Sequence, residues 1–343
     1  MARPLEGISV LDFTTLLPGP LATLILAEAG ASVTKIERPG GEDMRRFPPF
    51  TDAGSAAFAA LNAGKRSIFL DLKAPDARAV LEPLIASTDI VVEQFRPGVM
   101  ARLGFGYDDM RSINQHLIFC SITGFGQEGP RAREAGHDIT YLARTGLLSL
   151  SPGAPQAPTV PPALFADIGG GSFPAVISIL LALRQRDLTG RGAHIDIAMT
   201  DAMATFAWHA ILERQATGKT APGGKGFFTG GQARYRLYAT ADGRFLAVGA
   251  LEQKFWESFC AAIGLPADLR DDARTPERSV EAVAAIIGAQ PAIHWQALLD
   301  PLDCCCCVVA TLEEAMTDPH FRKRGLFQHG RIAVPGLATA PEE

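Results

Sequence analysis

Ile8-Ser9-Val10-Leu11-Asp12-Phe13, then Pro18-Gly19-Pro20, then the helix formers of Leu21 to Ala29, a stop at Gly30 and the run Ser32-Val33-Thr34-Lys35-Ile36 decide the fold. Two short apolar runs of strand length bracket one run of helical length, with a proline break at one end and a glycine stop at the other. That is a strand-helix-strand unit, and a crossover of this kind implies a parallel sheet. The pattern repeats: Ser67 to Leu72 reads as strand, Pro75 to Ser87 as helix, Ile90 to Glu93 as strand, and Leu117 to Ser121 as a further strand ending at Gly124-Phe125-Gly126. The fold class is therefore α/β with a Rossmann-like large domain.

The first strand-to-helix turn, Thr14 to Pro20, lacks the Gly-x-Gly-x-x-Gly that lets a backbone approach a pyrophosphate, and no Walker sequence is present. Nicotinamide and ATP chemistry are disfavoured. Further along, Leu147 to Pro162 is rich in Pro, Gly and Ser and reads as an active-site loop. Ser172 to Gln185 is an apolar helix, closed by Leu188 to Gly192. Thr217 to Gly231 is a glycine-rich linker. Tyr235 to Tyr238 and Phe245 to Val248 flank Asp242-Gly243 as a hairpin, followed by helices at Gln253 to Ile263 and Ser279 to Ile287. A smaller α+β domain results. The expected division is 1–197 for the large domain, 198–232 for the linker, 233–312 for the small domain and 313–343 for a C-terminal segment.

With 343 residues, 47% hydrophobic and 20% charged, the chain is long enough for two buried cores. A net charge of −5 argues against a nucleic-acid partner. The N-terminus shows no signal-peptide pattern, and the apolar run Phe173 to Leu183 is too short to span a bilayer, so the expected location is cytoplasmic with no membrane partner. Cys304 to Cys307 are consecutive, which suits small hydrophobes in a strand running into Val308-Val309 better than a tetrahedral metal site. A thiol or metal role is the alternative. No metal is expected.

Ala135-Gly136-His137-Asp138-Ile139 and Asp167-Ile168-Gly169-Gly170-Gly171-Ser172 hold two proton-transfer groups of different chemical type, each at the start of an expected helix. A base on one side of a carbon and an acid on the other is what epimerisation requires. The plainer readings are a histidine satisfied by backbone at a helix start and an aspartate N-cap. Capping and catalysis are compatible.

Taken together, the chain resembles the family III CoA-transferases (CaiB/BaiF), and within them the α-methylacyl-CoA racemases most closely. The resemblance is carried by Leu11-Asp12-Phe13 with Pro18-Gly19-Pro20, by Val33 to Pro39, Leu61 to Ser67, Phe95 to Val99, Leu103-Gly104, Gly124-Phe125-Gly126, Gly129-Pro130, Ala135 to Ile139, Asp167 to Ser172, Gly249 to Glu252 and Asp318-Pro319-His320. It implies an interlocked homodimer, in which each C-terminal segment returns to its large domain and the active site combines the large domain of one chain with the small domain of the other.

It also implies an acyl-CoA substrate with no cofactor beyond the CoA it carries, and no flavin or NAD. His137 and Asp167 would be the opposed acid and base, Asp167 with its carboxyl raised by partial burial or by a hydrogen bond shared with Asp138. Glu252 would orient the histidine from the partner's small domain, or simply favour its helix dipole. The glycine run after Asp167 would offer N–H groups to the enolate oxygen. Arg38, Lys65, Arg96 and Arg102 would meet the CoA phosphates, or stand as solvated surface charge, and Leu61 to Ala63 would line the adenine or pantetheine path. The racemases usually carry Asp-Gly-Gly-Ala-Pro-Tyr-Tyr in the linker. Thr229-Gly230-Gly231-Gln232-Ala233-Arg234-Tyr235 stands there instead, and its Gly-Gly-Gln resembles the glycine loop of formyl-CoA-type transferases. The expected reaction is racemisation of a 2-methylacyl-CoA. The alternatives are CoA transfer through an aspartyl anhydride at Asp167 and a CoA-binding scaffold without catalysis.

Overall fold

The computed structural model describes residues 3–333. Six parallel strands form the principal sheet: β1 (Ser9–Phe13), β2 (Ser32–Glu37), β3 (Arg66–Phe69), β4 (Ile90–Glu93), β5 (Ile118–Thr123) and β6 (Ala193–Ala198). Their spatial order is β3-β2-β1-β4-β5-β6. The order reverses between β1 and β4, so the crevice beyond the carboxyl ends of those two strands is where this topology offers a ligand site. β6 is not among the expected strands. Its alternation Ala193-His194-Ile195-Asp196-Ile197-Ala198 is a strand signal, and it completes the sheet at its edge.

On one face, α1 (Pro18–Glu28) covers β1 as expected. On the other, α2 (Ala77–Ser87) and α3 (Tyr107–Ile113) bury Leu81, Ile85 and Met110 against Leu11, Phe13, Val91 and Phe119. Burying side chains of this size contributes about 1.5–3 kcal/mol each. After α4 (Asp138–Arg144), α5 (Phe173–Thr189) turns Ala175, Ile179 and Leu183 inward. The preceding segment Phe165–Ser172 is π-helical and lengthens the apolar helical stretch to 25 residues, long and apolar enough to cross a membrane by length and composition alone. Its inward face packs as a core helix does.

The β1–α1 turn explains how the fold dispenses with a glycine-rich loop. Asp12, Lys35, Glu42 and Lys65 are all buried beneath it. Lys35 Nζ donates to Thr14 O at 2.7 Å and pairs with Glu42 Oε1 at 3.1 Å, while Glu42 Oε2 accepts the N–H of Leu16 at 2.8 Å. Leu16 has φ +61°, a left-handed conformation that costs a non-glycine residue about 1–2 kcal/mol. Glu42, itself paired with Lys35, holds the Leu16 N–H in this conformation. Burial works against the Asp12 carboxylate, but Lys65 and then Lys35 outweigh it and bring its pKa down to about 2.

The described residues divide into two compact units, one of residues 3–145, 161–206 and 324–333, the other of 146–160 and 207–323. The segment 146–160, in the expected loop, thus belongs with the second unit. Helices occupy Asp201–Phe206 and Trp208–Thr217, where a linker was expected. Within the second unit, β7 (Arg236–Ala239), β8 (Phe245–Val248) and β9 (Cys306–Val308) form an antiparallel sheet in the order β9-β8-β7. Helices α6 (Gln253–Ala262) and α7 (Pro276–Ile287) set Trp256, Phe259, Val283 and Ile287 against it. The cysteine run is only half strand. Cys304 is fully buried in this core, Cys305 turns the chain at φ +53°, and Cys306 and Cys307 enter β9. No group of three or more ligating side chains suited to a metal occurs among the described residues. Of the C-terminal segment, residues 334–343 lie outside the described residues, and Arg331 pairs with Glu28 of α1 at 2.5 Å.

Candidate active site

The loop after β5 delivers His137 to the N-cap of α4. Its backbone N–H bonds Thr140 Oγ1 at 2.9 Å and its carbonyl accepts from the same hydroxyl at 2.7 Å. That exchange satisfies the main chain, so the imidazole makes no cap hydrogen bond and stands exposed. The plainer reading, a histidine consumed by the helix start, therefore applies to its backbone and not to its ring.

Asp138, one residue on, points the other way. It is buried, and its Oδ1 accepts the N–H of Ala166 at 2.7 Å and of Asp167 at 3.0 Å. A buried carboxylate tied to two amides holds the start of the π-helical segment against α4. It brings Asp167 beside His137 although thirty positions separate them in sequence. Asp167 is half-buried. Burial pushes its carboxyl up first, the Asp138 charge adds to this, and His137 opposes both, which leaves its pKa at about 6. Asp138 thus acts through charge and backbone, not through a hydrogen bond between carboxyls.

Tyr141 completes this corner and was missed in the sequence, although it lies one turn after His137 on the same helix. Its hydroxyl donates to Gly136 O at 2.8 Å, and its ring fills the space where a Cβ at Gly124 or Gly136 would fall within 2.5 Å. Burial and the Asp167 charge push its phenol up to about 12, against Arg96, whose positive charge draws it down. Arg96, exposed on the turn after β4, thereby joins His137, Asp138 and Asp167 at one site.

The glycine run has a packing reason of its own. A Cβ on Gly170 would sit 2.2 Å from Met199 O, and one on Gly171 would meet Met199 and Pro18 at 3.1 Å. These glycines let the π-helical segment approach its neighbours, and Ser172 Oγ donates to Pro18 O at 2.7 Å to tie the segment to the β1–α1 turn.

The expected phosphate-binding set divides. Lys65 is corrected: its side chain is 1% exposed, and Nζ is taken up by Thr23 Oγ1 (2.8 Å), Pro20 O (2.9 Å), Asn62 Oδ1 (3.0 Å) and Asp12 Oδ2 (3.2 Å). Burial lowers its pKa to about 8 even with Asp12 beside it, and the ammonium has no hydrogen left to offer a ligand. Leu61 is corrected too, being core at 3% exposure, so that Ala63 retains surface where Leu61 has almost none. Arg38 is exposed but pairs with Asp43 and donates to Gly41 O. Arg102 is exposed at the end of the short helix Val99–Arg102. Glu252 is an exposed N-cap residue of α6 in the second unit, without a side-chain cap bond.

The family model described as CoA-transferase family III matches residues 5–340. The chain belongs to CoA-transferase family III. The human α-methylacyl-CoA racemase is 36% identical to this member over 94% of the chain and 82% of that protein. The acetyl-CoA:oxalate CoA-transferase of Acetobacter aceti is 34% identical over 97% of the chain and 88% of that protein. Among solved structures, a CaiB/BaiF family protein from Brucella suis superposes with a TM-score of 0.82 at 29% identity, covering 95% of this family III chain and 89% of its own. The protein is thus an enzyme of the group that holds both racemases and CoA-transferases.

Proposed function

We propose that the protein racemises the α-carbon of a 2-methylacyl-CoA thioester by 1,1-proton transfer. The observation that carries this reading is the convergence of His137 and Asp167, with Asp167 raised to about 6 by burial and by Asp138. Such a carboxyl is ionised in most molecules at neutral pH yet accepts a proton readily, as a base near its working pH should. In one direction the Asp167 carboxylate takes the α-proton, the C–H electron pair moves onto the thioester oxygen as an enolate, and the His137 imidazolium returns a proton to the opposite face. The reverse direction exchanges the roles. Asp138 keeps Asp167 in place and its pKa high. Arg96, with Arg38 and Arg102, meets the CoA phosphates.

The family pattern supports a homodimer in which Glu252 of a second copy orients His137. The outward face of α5, with Phe173, Ile177, Leu181 and Leu188 all exposed, is an apolar stripe that a second copy would cover. We place the enzyme in the cytoplasm, acting on acyl-CoA without a further cofactor.

CoA transfer between carboxylic acids is the second reading, favoured by the similarity to the acetyl-CoA:oxalate CoA-transferase and by Gly230-Gly231-Gln232. Asp167 would then attack the thioester, expel CoA thiolate and form an anhydride. Incubation with a single-epimer 2-methylacyl-CoA, with and without added oxalate, separates the two. Loss of optical purity at constant acyl-CoA supports racemisation. Retained optical purity, CoA appearing on oxalate and hydroxylamine modification of Asp167 would replace it with transfer.

A further inference from the structure

Glu93 ends β4 at the point where the sheet order reverses, and it is 4% exposed. Its Oε2 accepts the N–H of Phe95 at 2.8 Å. Beside it, Gln94 Oε1 accepts the N–H of Gly19 at the head of α1, at 3.0 Å, and Arg96 O accepts the N–H of Val99 at 3.0 Å. Glu93, Gln94 and Arg96 thus fasten the turn that bears Arg96 itself, the cation whose charge reaches Tyr141 beside Asp167.

An amide or a hydroxyl would serve as acceptor at Glu93 without the cost of a buried charge. No ion pair to Glu93 occurs among the described residues, and the charged group facing it, Asp196, is of the wrong sign. Across the sheet, Glu93, Ser121 and Asp196 are register partners in one row of β4, β5 and β6. Asp196 and the Cys120 thiol are coupled to it, while Phe13, its partner on β1, carries no charge. His194 is reached through Ser121, Oγ to Nε2 at 3.1 Å, and stacks on Tyr107 of α3 with Asp108 beyond. Burial pushes the Glu93 carboxyl up to about 7. The hydrogen bonds from Ser121 and Phe95 oppose that rise, and Asp196 adds to it.

We propose that Glu93 is a positioning residue for the CoA end of the substrate: its ionised carboxylate holds the turn 94–98 so that Arg96 faces the ligand, and uptake of one proton loosens that hold. The inference rests on the acyl-CoA reading above. A charge-assisted hydrogen bond is roughly twice as strong as a neutral one, so protonation weakens the Phe95 contact without abolishing it. The effect falls on binding, hence on KM more than on kcat.

Free CoA is the probe, titrated calorimetrically on the full-length enzyme at pH values on both sides of neutrality. Wild-type affinity should drop about five- to ten-fold on the acid side, the difference expected for one weakened charged hydrogen bond. Glu93→Gln should bind with the weaker affinity throughout and show no step. Asp196→Asn should move the step to lower pH and Ser121→Ala to higher pH, opposite shifts that a merely structural row would not produce. A step retained unchanged in Glu93→Gln overturns the inference, as does a wild type with no step. Should Glu93→Gln fail to fold, a step that stays in place in both Asp196→Asn and Ser121→Ala overturns it equally. A wild type that binds no CoA at any pH removes the acyl-CoA reading itself and this inference with it.

Discussion

Replacing Lys65 by methionine tests whether that cation serves the fold or the ligand. Methionine has similar volume but no charge and no donors. The change strands Asp12, which is wholly buried, with Lys35 at 4.0 Å as its remaining cation, and removes donors from Thr23, Asn62 and the Pro20 carbonyl. Breaking a buried ion pair by deleting one partner costs about 3–5 kcal/mol. The burial that lowers the Lys65 pKa to about 8 shows that the ammonium itself is held at some cost, which places the net loss near the lower end, about 3 kcal/mol. At about 2–4 °C per kcal/mol for a unit of this size, Tm should fall by about 6–12 °C. Asp12→Asn added to Lys65→Met should cost less than the sum of the two, because no unpaired charge remains. The assay is thermal melting with a parallel KM for acyl-CoA measured well below the melt. A Lys65→Met protein that melts like wild type while its KM rises about ten-fold, the scale of one lost phosphate contact, would refute the structural role.

Asp138→Asn keeps an oxygen for the amides of Ala166 and Asp167 but removes the charge that helps to raise the Asp167 carboxyl. The Asp167 pKa should fall, and the acid limb of kcat/KM should move to lower pH; a limb that stays in place contradicts the coupling. Gly170→Ala drives a Cβ to 2.2 Å from a backbone carbonyl and should destabilise the fold by about 1–3 kcal/mol in denaturant titration, whereas wild-type stability would show that the π-helical segment yields freely. Cys304→Ser places a hydroxyl in the core of the second unit and should lower stability by about 1–3 kcal/mol, while Cys307→Ser, at an exposed position, should leave the melt unchanged. Equal effects at the two cysteines would dispute their unequal burial.

The parallel sheet was legible because strand and helix periods alternate cleanly between Ile8 and Ser121, with glycine and proline at the changes. β6 escaped because the glycines before it read as the end of a helix and the residues after it as linker. The π-helical geometry of Phe165–Ser172 has no periodic signature, so the packing of its glycines against Phe206, Met199 and Pro18 could not be read from the sequence. His137 and Asp167 were legible as residue types. The bonds that join their segments, Asp138 to the amides of Ala166 and Asp167, span twenty-eight and twenty-nine positions and leave no local trace. Lys65 shows the opposite limit. A lysine in a polar stretch reads as surface, and its burial depends on Asp12, Pro20 and Thr23, far away in sequence.

The most direct test follows each proton separately. His137→Ala and Asp167→Asn are incubated in D2O with each epimer of a 2-methylacyl-CoA, and deuterium at the α-carbon is read by mass spectrometry alongside chirality. Two opposed bases predict that neither variant inverts the centre, and that each exchanges the α-hydrogen of one epimer only, the two variants choosing opposite epimers. Exchange of the same epimer by both variants, or inversion by either at a near-normal rate, would contradict the account.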